Sequence, residues 1–166
     1  MRAELHWITD APNGRLAIMP RPRAGDWLVD ELASWKSAGV DVVVSLLTDD
    51  EVTELGLQQE QALSEDLGLT FFSYPIADRD VPSSIDDFLR FADQLHDYLQ
   101  NGRSVAIHCR MGIGRSSLLA ACLLVKSGLT ALDAYSSISR DRGIDVPDTK
   151  EQIEWVESIA GHLLME

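Results

Sequence analysis

Positive charge is scarce in this chain: 14 lysines and arginines face 27 aspartates and glutamates, for a net charge of −13. Nucleic acids and anionic membranes are gripped through basic faces, so neither is expected as the main partner. Cysteine is scarcer still. With 2 in 166 residues, at most one disulfide could form, and a disulfide-built scaffold is excluded. No apolar run approaches the roughly 18 residues of a membrane span. The opening Met1-Arg2-Ala3-Glu4-Leu5 has an acid where a secretory signal would have its apolar core. A reducing, cytoplasmic setting is therefore expected. Repeats, low-complexity runs and obvious linkers are also missing. What remains, 45% hydrophobic and 25% charged residues, is the composition of an ordinary globular protein, and the length suits one domain over residues 1–166.

Short apolar runs alternate with helical patterns, which predicts a three-layer α/β domain: a mixed, mostly parallel central sheet of 4–5 strands flanked by helices. Strands are expected over residues 16–19, 40–47, 69–74 and 104–108, with residues 5–8 as a further edge strand. The second and fourth are almost continuously apolar, as strands covered on both faces are. Helices are expected over 26–38, 58–67, 84–100, 118–126, 131–139 and 150–164. The fourth is apolar nearly all round and reads as the buried central helix. Thr48-x-x-Glu51, Thr130-x-x-Asp133 and Thr149-x-x-Gln152 each have the form of a capping box.

Between the fourth strand and that central helix lies His108-Cys109-Arg110-Met111-Gly112-Ile113-Gly114-Arg115-Ser116. A chance match to His-Cys-x5-Arg-[Ser/Thr] is expected in roughly 4 of 10,000 chains of this composition, so the pattern carries information. A loop that opens a helix turns backbone N–H groups inward, and the positive helix end adds to the field, so the hollow attracts a phosphate-like anion. The main-chain amides of Arg110, Met111, Gly112, Ile113, Gly114 and Arg115 are the candidate phosphate binders. A thiol placed there should ionise readily. Arg115 can hold two phosphate oxygens with its planar fork. Ser116 can hydrogen-bond the sulfur, and His108 can support the loop's backbone. Gly112 and Gly114 let the loop curl. The reading is covalent phosphate transfer through Cys109.

Such chemistry needs a proton donor for the departing alcohol. Tyr74-Pro75-Ile76-Ala77-Asp78-Arg79-Asp80-Val81-Pro82 is a polar, proline-bracketed loop following a strand, a suitable place for one. Asp78 is the first candidate and Asp80 the second; alternatively both acids merely solvate the loop. Cys122, in the apolar central helix, is expected to pack. His6, His96 and His162 have no partner at metal-ligand spacing, so no metal is expected. The tryptophans at 7, 27, 35 and 155 are expected in the core.

Residues 108–116 resemble the signature of cysteine-dependent protein tyrosine and dual-specificity phosphatases. The Pro75-Ile76-Ala77-Asp78 loop, 31 positions before Cys109, is similar to the general-acid loop of the compact members. The segment Arg142-Gly143-Ile144-Asp145-Val146-Pro147-Asp148-Thr149-Lys150-Glu151-Gln152 resembles bacterial relatives of the kinase-associated phosphatases. The resemblance covers roughly residues 41–156. It implies phosphate monoester hydrolysis without metal or other cofactor, with Cys109 as nucleophile, Arg115 as phosphate and transition-state binder, Asp78 as general acid and Ser116 assisting release of the thiol. Gln152 resembles the family's water-positioning glutamine and equally fits a capping residue.

The implied substrate is a phosphorylated protein or peptide, phosphotyrosine favoured, acted on by a chain assumed to be a monomer. Met111 and Ile113 stand where phosphoinositide-directed relatives carry lysines, which weakens a lipid reading, while Arg110 keeps it open. Alternatives of other classes are a catalytically feeble phosphopeptide-binding module and a sulfur-transfer or arsenate-reducing enzyme, whose chemistry does not require an acid such as Asp78.

Overall fold

The structure, a computed structural model, describes residues 4–11 and 15–164. Five strands form one sheet: β1 (His6–Trp7), β2 (Arg15–Met19), β3 (Val42–Ser45), β4 (Thr70–Ser73) and β5 (Ser104–His108), in the order β1-β2-β5-β3-β4. Only the β1–β2 pair is antiparallel; β2–β5, β5–β3 and β3–β4 are parallel. The α/β class, the mixed sheet and the edge strand agree with the sequence reading. The central strand β5 carries the signature at its carboxyl end, where open α/β sheets place their ligands.

Strand alternation divides the interior into two cores. Leu16, Ile18, Val42, Val44, Val105 and Ile107 face one side, against α4 (Ile85–Gln100), α5 (Gly114–Lys126), α6 (Ala131–Arg142) and α7 (Lys150–Leu163). Ala17, Met19, Val43 and Ala106 face the other, with Leu28, Leu32 and Trp35 of α1 (Leu28–Ser37). The period-2 geometry of a strand compels this split. The helix α5 is buried along its whole length, as its all-round apolarity requires. On the second face lie α2 (Asp49–Glu54) and α3 (Glu60–Asp66).

Several boundaries differ from expectation. The helix α5 begins at Gly114, not at residue 118. Arg115, Ser116 and Ser117 carry no apolar pattern yet form its first turn, where Ser117 Oγ donates to the carbonyls of Ile113 and Gly114. The helix α6 runs on to Arg142 and ends at Gly143, whose φ of 86° is the left-handed cap that glycine allows. The capping box at Thr48 holds and nucleates α2, a helix with too few apolar residues to show in the periodicity. The box at Thr149 also holds, whereas Thr130 supplies only the side-chain-to-Asp133 half.

Trp35 is buried and Trp155 packs edge-on against Phe88, but Trp27 is a correction: it is 54% exposed, with the Arg23 guanidinium 4.4 Å from its ring. It belongs to a single 3-10 turn, Gly25–Trp27, ahead of α1.

Candidate active site

The loop from Cys109 to Ile113 is held from outside by its carbonyls. The Cys109 carbonyl lies 3.2 Å from His108 Nδ1, the Arg110 carbonyl accepts from Arg21 N at 3.2 Å, and Arg142 donates to Met111 O (3.2 Å) and Gly112 O (3.0 Å). Ser117 Oγ takes the carbonyls of Ile113 and Gly114. In a trans peptide the C=O and the following N–H point in opposite directions. Carbonyls bound outside therefore aim the amides of residues 110–114 at the hollow, a nest for an anion. Two glycines make the curl possible. Gly112 has φ 72°, and a Cβ there would stand 2.6 Å from the Met19 backbone. A Cβ on Gly114 would collide with the Asp148 carboxylate.

At the base of the hollow, Cys109 Sγ lies 3.3 Å from Ser116 Oγ, with both residues buried. Arg115 is 1% exposed, and its terminal nitrogens make three hydrogen bonds and a further ion pair. Its Nη1 donates to Glu51 Oε1 (2.6 Å) and to the Ile76 carbonyl (2.8 Å); its Nη2 donates to Glu51 Oε2 at 2.9 Å and lies 3.2 Å from Asp78 Oδ1. Burial works against the charged guanidinium, but the Glu51 hydrogen bonds, with the nearby charges of Cys109, Glu51 and Asp78, outweigh it and hold its pKa above the ordinary arginine value. Burial likewise pushes the Glu51 carboxyl up, and the bonds from Arg115 and Thr48 overcome that and leave it below the usual glutamate range.

Residues 17–129 match the protein family described as "Polymorphic toxin system, DSP-PTPase phosphatase". The chain belongs to this DSP-PTPase phosphatase family. Among curated proteins it is similar to cyclin-dependent kinase inhibitor 3 of Sus scrofa, 30% identical over 134 residues that make up 77% of this chain and 63% of the relative. The Rattus norvegicus protein of that name is 29% identical over 123 residues, 73% of this chain and 58% of the relative. The match thus spans about three fifths of these relatives' length. A crystal structure of kinase associated phosphatase, with its catalytic-site cysteine replaced by serine, shares the fold with a TM-score of 0.89 at 23% identity, over 100% of this chain and 98% of that one. Tk-PTP in its active form superposes with a TM-score of 0.75 at 27% identity, covering 94% and 97%.

Around the phosphatase signature the structure gathers Cys109, Arg115, Ser116, Asp78, Arg79, Arg110, Met111, Gly114 and Asp148. Asp78 and Asp80, left open by the sequence, part company. The Asp78 carboxylate reaches Arg115, whereas Asp80 Oδ1 accepts its neighbour Val81 N at 2.7 Å, in a turn where Arg79 has φ 61°. Gln152 is fully buried: its Oε1 accepts from Thr149 N (3.2 Å), and its Nε2 donates to the Asp80 carbonyl at 3.1 Å. It caps α7 and ties that helix to the Asp78 loop. The Arg110 side chain turns toward α2, with Nη2 3.1 Å from Glu54 Oε1.

Sequence reasoning missed Glu51 as the partner of Arg115, Arg142 as the outer brace of the loop, Asp148 at the rim, and Glu60 against His108. The first had one signal, its place in a capping box; Arg142 and Asp148 lay in the segment 142–152 read as family-like without a role, and Glu60 had no signal. Among the described residues no group of side chains could hold a metal ion, and no helix is long and apolar enough to cross a membrane.

Proposed function

We propose that this protein hydrolyses phosphate monoesters on phosphoproteins through a cysteinyl-phosphate intermediate on Cys109. One observation carries the reading: a loop whose carbonyls are bound outward around the Cys109 sulfur, closed by Arg115 and faced by Asp78. The incoming phosphate takes the inward amides and the Arg115 Nη2 now shared with Asp78. That displaces the Asp78 carboxylate toward the leaving group. The thiolate attacks phosphorus, the ester P–O bond breaks, and Asp78 gives its proton to the departing oxygen. Water then attacks the phosphocysteine, Asp78 takes the water's proton, the S–P bond breaks and thiolate returns, assisted by the Ser116 hydroxyl. A carboxylic acid brought beside a dianionic phosphate favours its neutral form, which makes Asp78 competent as the donor.

Gln152 acts in this scheme by holding the acid loop through the Asp80 carbonyl. Phosphotyrosine is the favoured substrate, because a phenol with a pKa of about 10 departs with less help than an alkyl alcohol. The test is turnover of para-nitrophenyl phosphate in chelator. The wild-type protein is expected to be active and inhibited by vanadate, Cys109→Ser inactive, and Asp78→Asn slowed about 100-fold or more. Undiminished turnover in Cys109→Ser sinks the mechanism. A rate unaffected by Asp78→Asn assigns the loop to another thiol chemistry.

A further inference from the structure

Behind the nucleophile lies a second buried ionisable pair. His108 Nε2 is 2.6 Å from Glu60 Oε2, with the two side chains 0% and 2% exposed. Glu60 opens α3, 48 positions before His108, and no part of the signature specifies it. The ring's other nitrogen, Nδ1, lies 3.2 Å from the Cys109 carbonyl oxygen. A carbonyl oxygen can only accept, so Nδ1 carries a hydrogen. Nε2 faces a carboxylate, so a second proton sits on the Nε2–Oε2 line. The imidazole is thereby clamped at both nitrogens, with Trp35 6.0 Å from its ring.

The charges facing Cys109 from elsewhere largely cancel. Arg115 is paired with Glu51 and Asp78, and Arg110 with Glu51 and Glu54. Arg79 and Asp148 also line the hollow, with opposite signs. An imidazolium bonded to the Cys109 carbonyl is a cation whose counter-ion lies on the far side of its ring.

We propose that Glu60 is a positioning residue for the nucleophile: by keeping a proton on His108 Nε2, it holds a charged imidazole against the Cys109 peptide and so favours the thiolate. This rests on the reading of Cys109 as the nucleophile. Glu60→Gln separates charge from shape. The amide N–H can donate to Nε2 of a neutral ring that still gives Nδ1–H to the Cys109 carbonyl. The pH midpoint of iodoacetamide alkylation at Cys109, followed by peptide mass mapping so that Cys122 is scored separately, is expected to rise by about one pH unit. At pH values below the wild-type midpoint, kcat/KM for para-nitrophenyl phosphate falls about tenfold, and it converges on the wild-type value above the new midpoint. His108→Asn, which keeps a donor for the Cys109 carbonyl but cannot be charged, shifts the midpoint the same way.

An unmoved alkylation midpoint in Glu60→Gln, or an equal loss of activity at every pH, overturns the proposal and leaves Glu60 a packing residue. Should the variants fail to fold, nitrogen-15 spectra of the wild-type His108 ring decide: both ring nitrogens protonated at pH 7.5 support the proposal, and a neutral ring overturns it. Alkylation needs no turnover, so a shifted midpoint in a protein without phosphatase activity would sink the proposed function while leaving this inference standing.

Discussion

Arg115 shows how a buried charge is held by its neighbours. A guanidinium that is 1% exposed needs compensating charge, and Glu51 supplies it with two hydrogen bonds from one carboxylate. Because folding lowers the Glu51 pKa, unfolding takes up a proton in the window between its folded value and the ordinary 4.5. Its contribution is fully present above that window and is lost as pH falls through the folded value. Glu51→Gln is expected to cost about 3 kcal/mol at pH 7, since it removes the buried counter-charge and leaves the guanidinium with the half-exposed Asp78 carboxylate. Urea melts of the variant at pH 7 and pH 4 should also show a shallower decline with acid than the wild type. Melts that superpose at pH 7 refute this account. Cys122 illustrates the opposite environment, for burial pushes its thiol up and gives it no partner charge. The sequence reading of it as packing and of Cys109 as the loop thiol depended on local context, a helix interior against a glycine-containing turn. The Glu51–Arg115 pair spans 64 positions, and no local pattern marks which of 27 acids would meet this arginine.

The elements act on the site as braces. The short helices α2 and α3 deliver Glu51 and Glu60 to the two basic residues that bracket the thiol's loop. The last turn of α6 delivers Arg142 to the outer carbonyls, and α7 starts where Gln152 can reach the Asp78 loop. The brace from α6 predicts that Arg142→Ala frees the Met111 and Gly112 carbonyls and lets their peptides rotate. Loss of these charge-assisted bonds should lower kcat/KM for an aryl phosphate about tenfold, mostly through KM, with little change in melting temperature because the side chain is partly solvent-exposed. An unchanged KM would show that the loop holds itself. Strands β2 and β5 were legible almost to the residue because apolar runs between turn residues have few other uses. The start of α2 showed only as the capping box at Thr48 and that of α5 was hidden, for a physical reason: their first turns are held by hydroxyl and carboxylate hydrogen bonds, not by an apolar face.

Over the whole molecule, a charge of −13 surrounds a hollow lined by Arg79, Arg110 and Arg115 together with Asp78 and Asp148. A dianionic substrate, as proposed, would approach against that field, and salt screens it within about 10 Å at 0.1 M. Raising ionic strength from 20 to 200 mM (roughly one Debye regime to the next) should therefore increase kcat/KM for an acidic phosphopeptide and decrease it for one flanked by lysines. Identical salt slopes for the two peptides would rule out steering by the global field.

The amino-acid sequence by itself determined the α/β layering, the loop that carries Cys109 and Arg115, and the proline-bracketed loop with Asp78, because each depends on residues adjacent in the chain or on a short period. Tertiary structure alone decided which acids stand behind Arg115 and His108, that Asp78 and not Asp80 faces the hollow, and that Arg142 turns the loop's amides inward. Those relations are contacts between distant segments, and a charged side chain that looks like ordinary surface acquires its role only when folding removes the water around it.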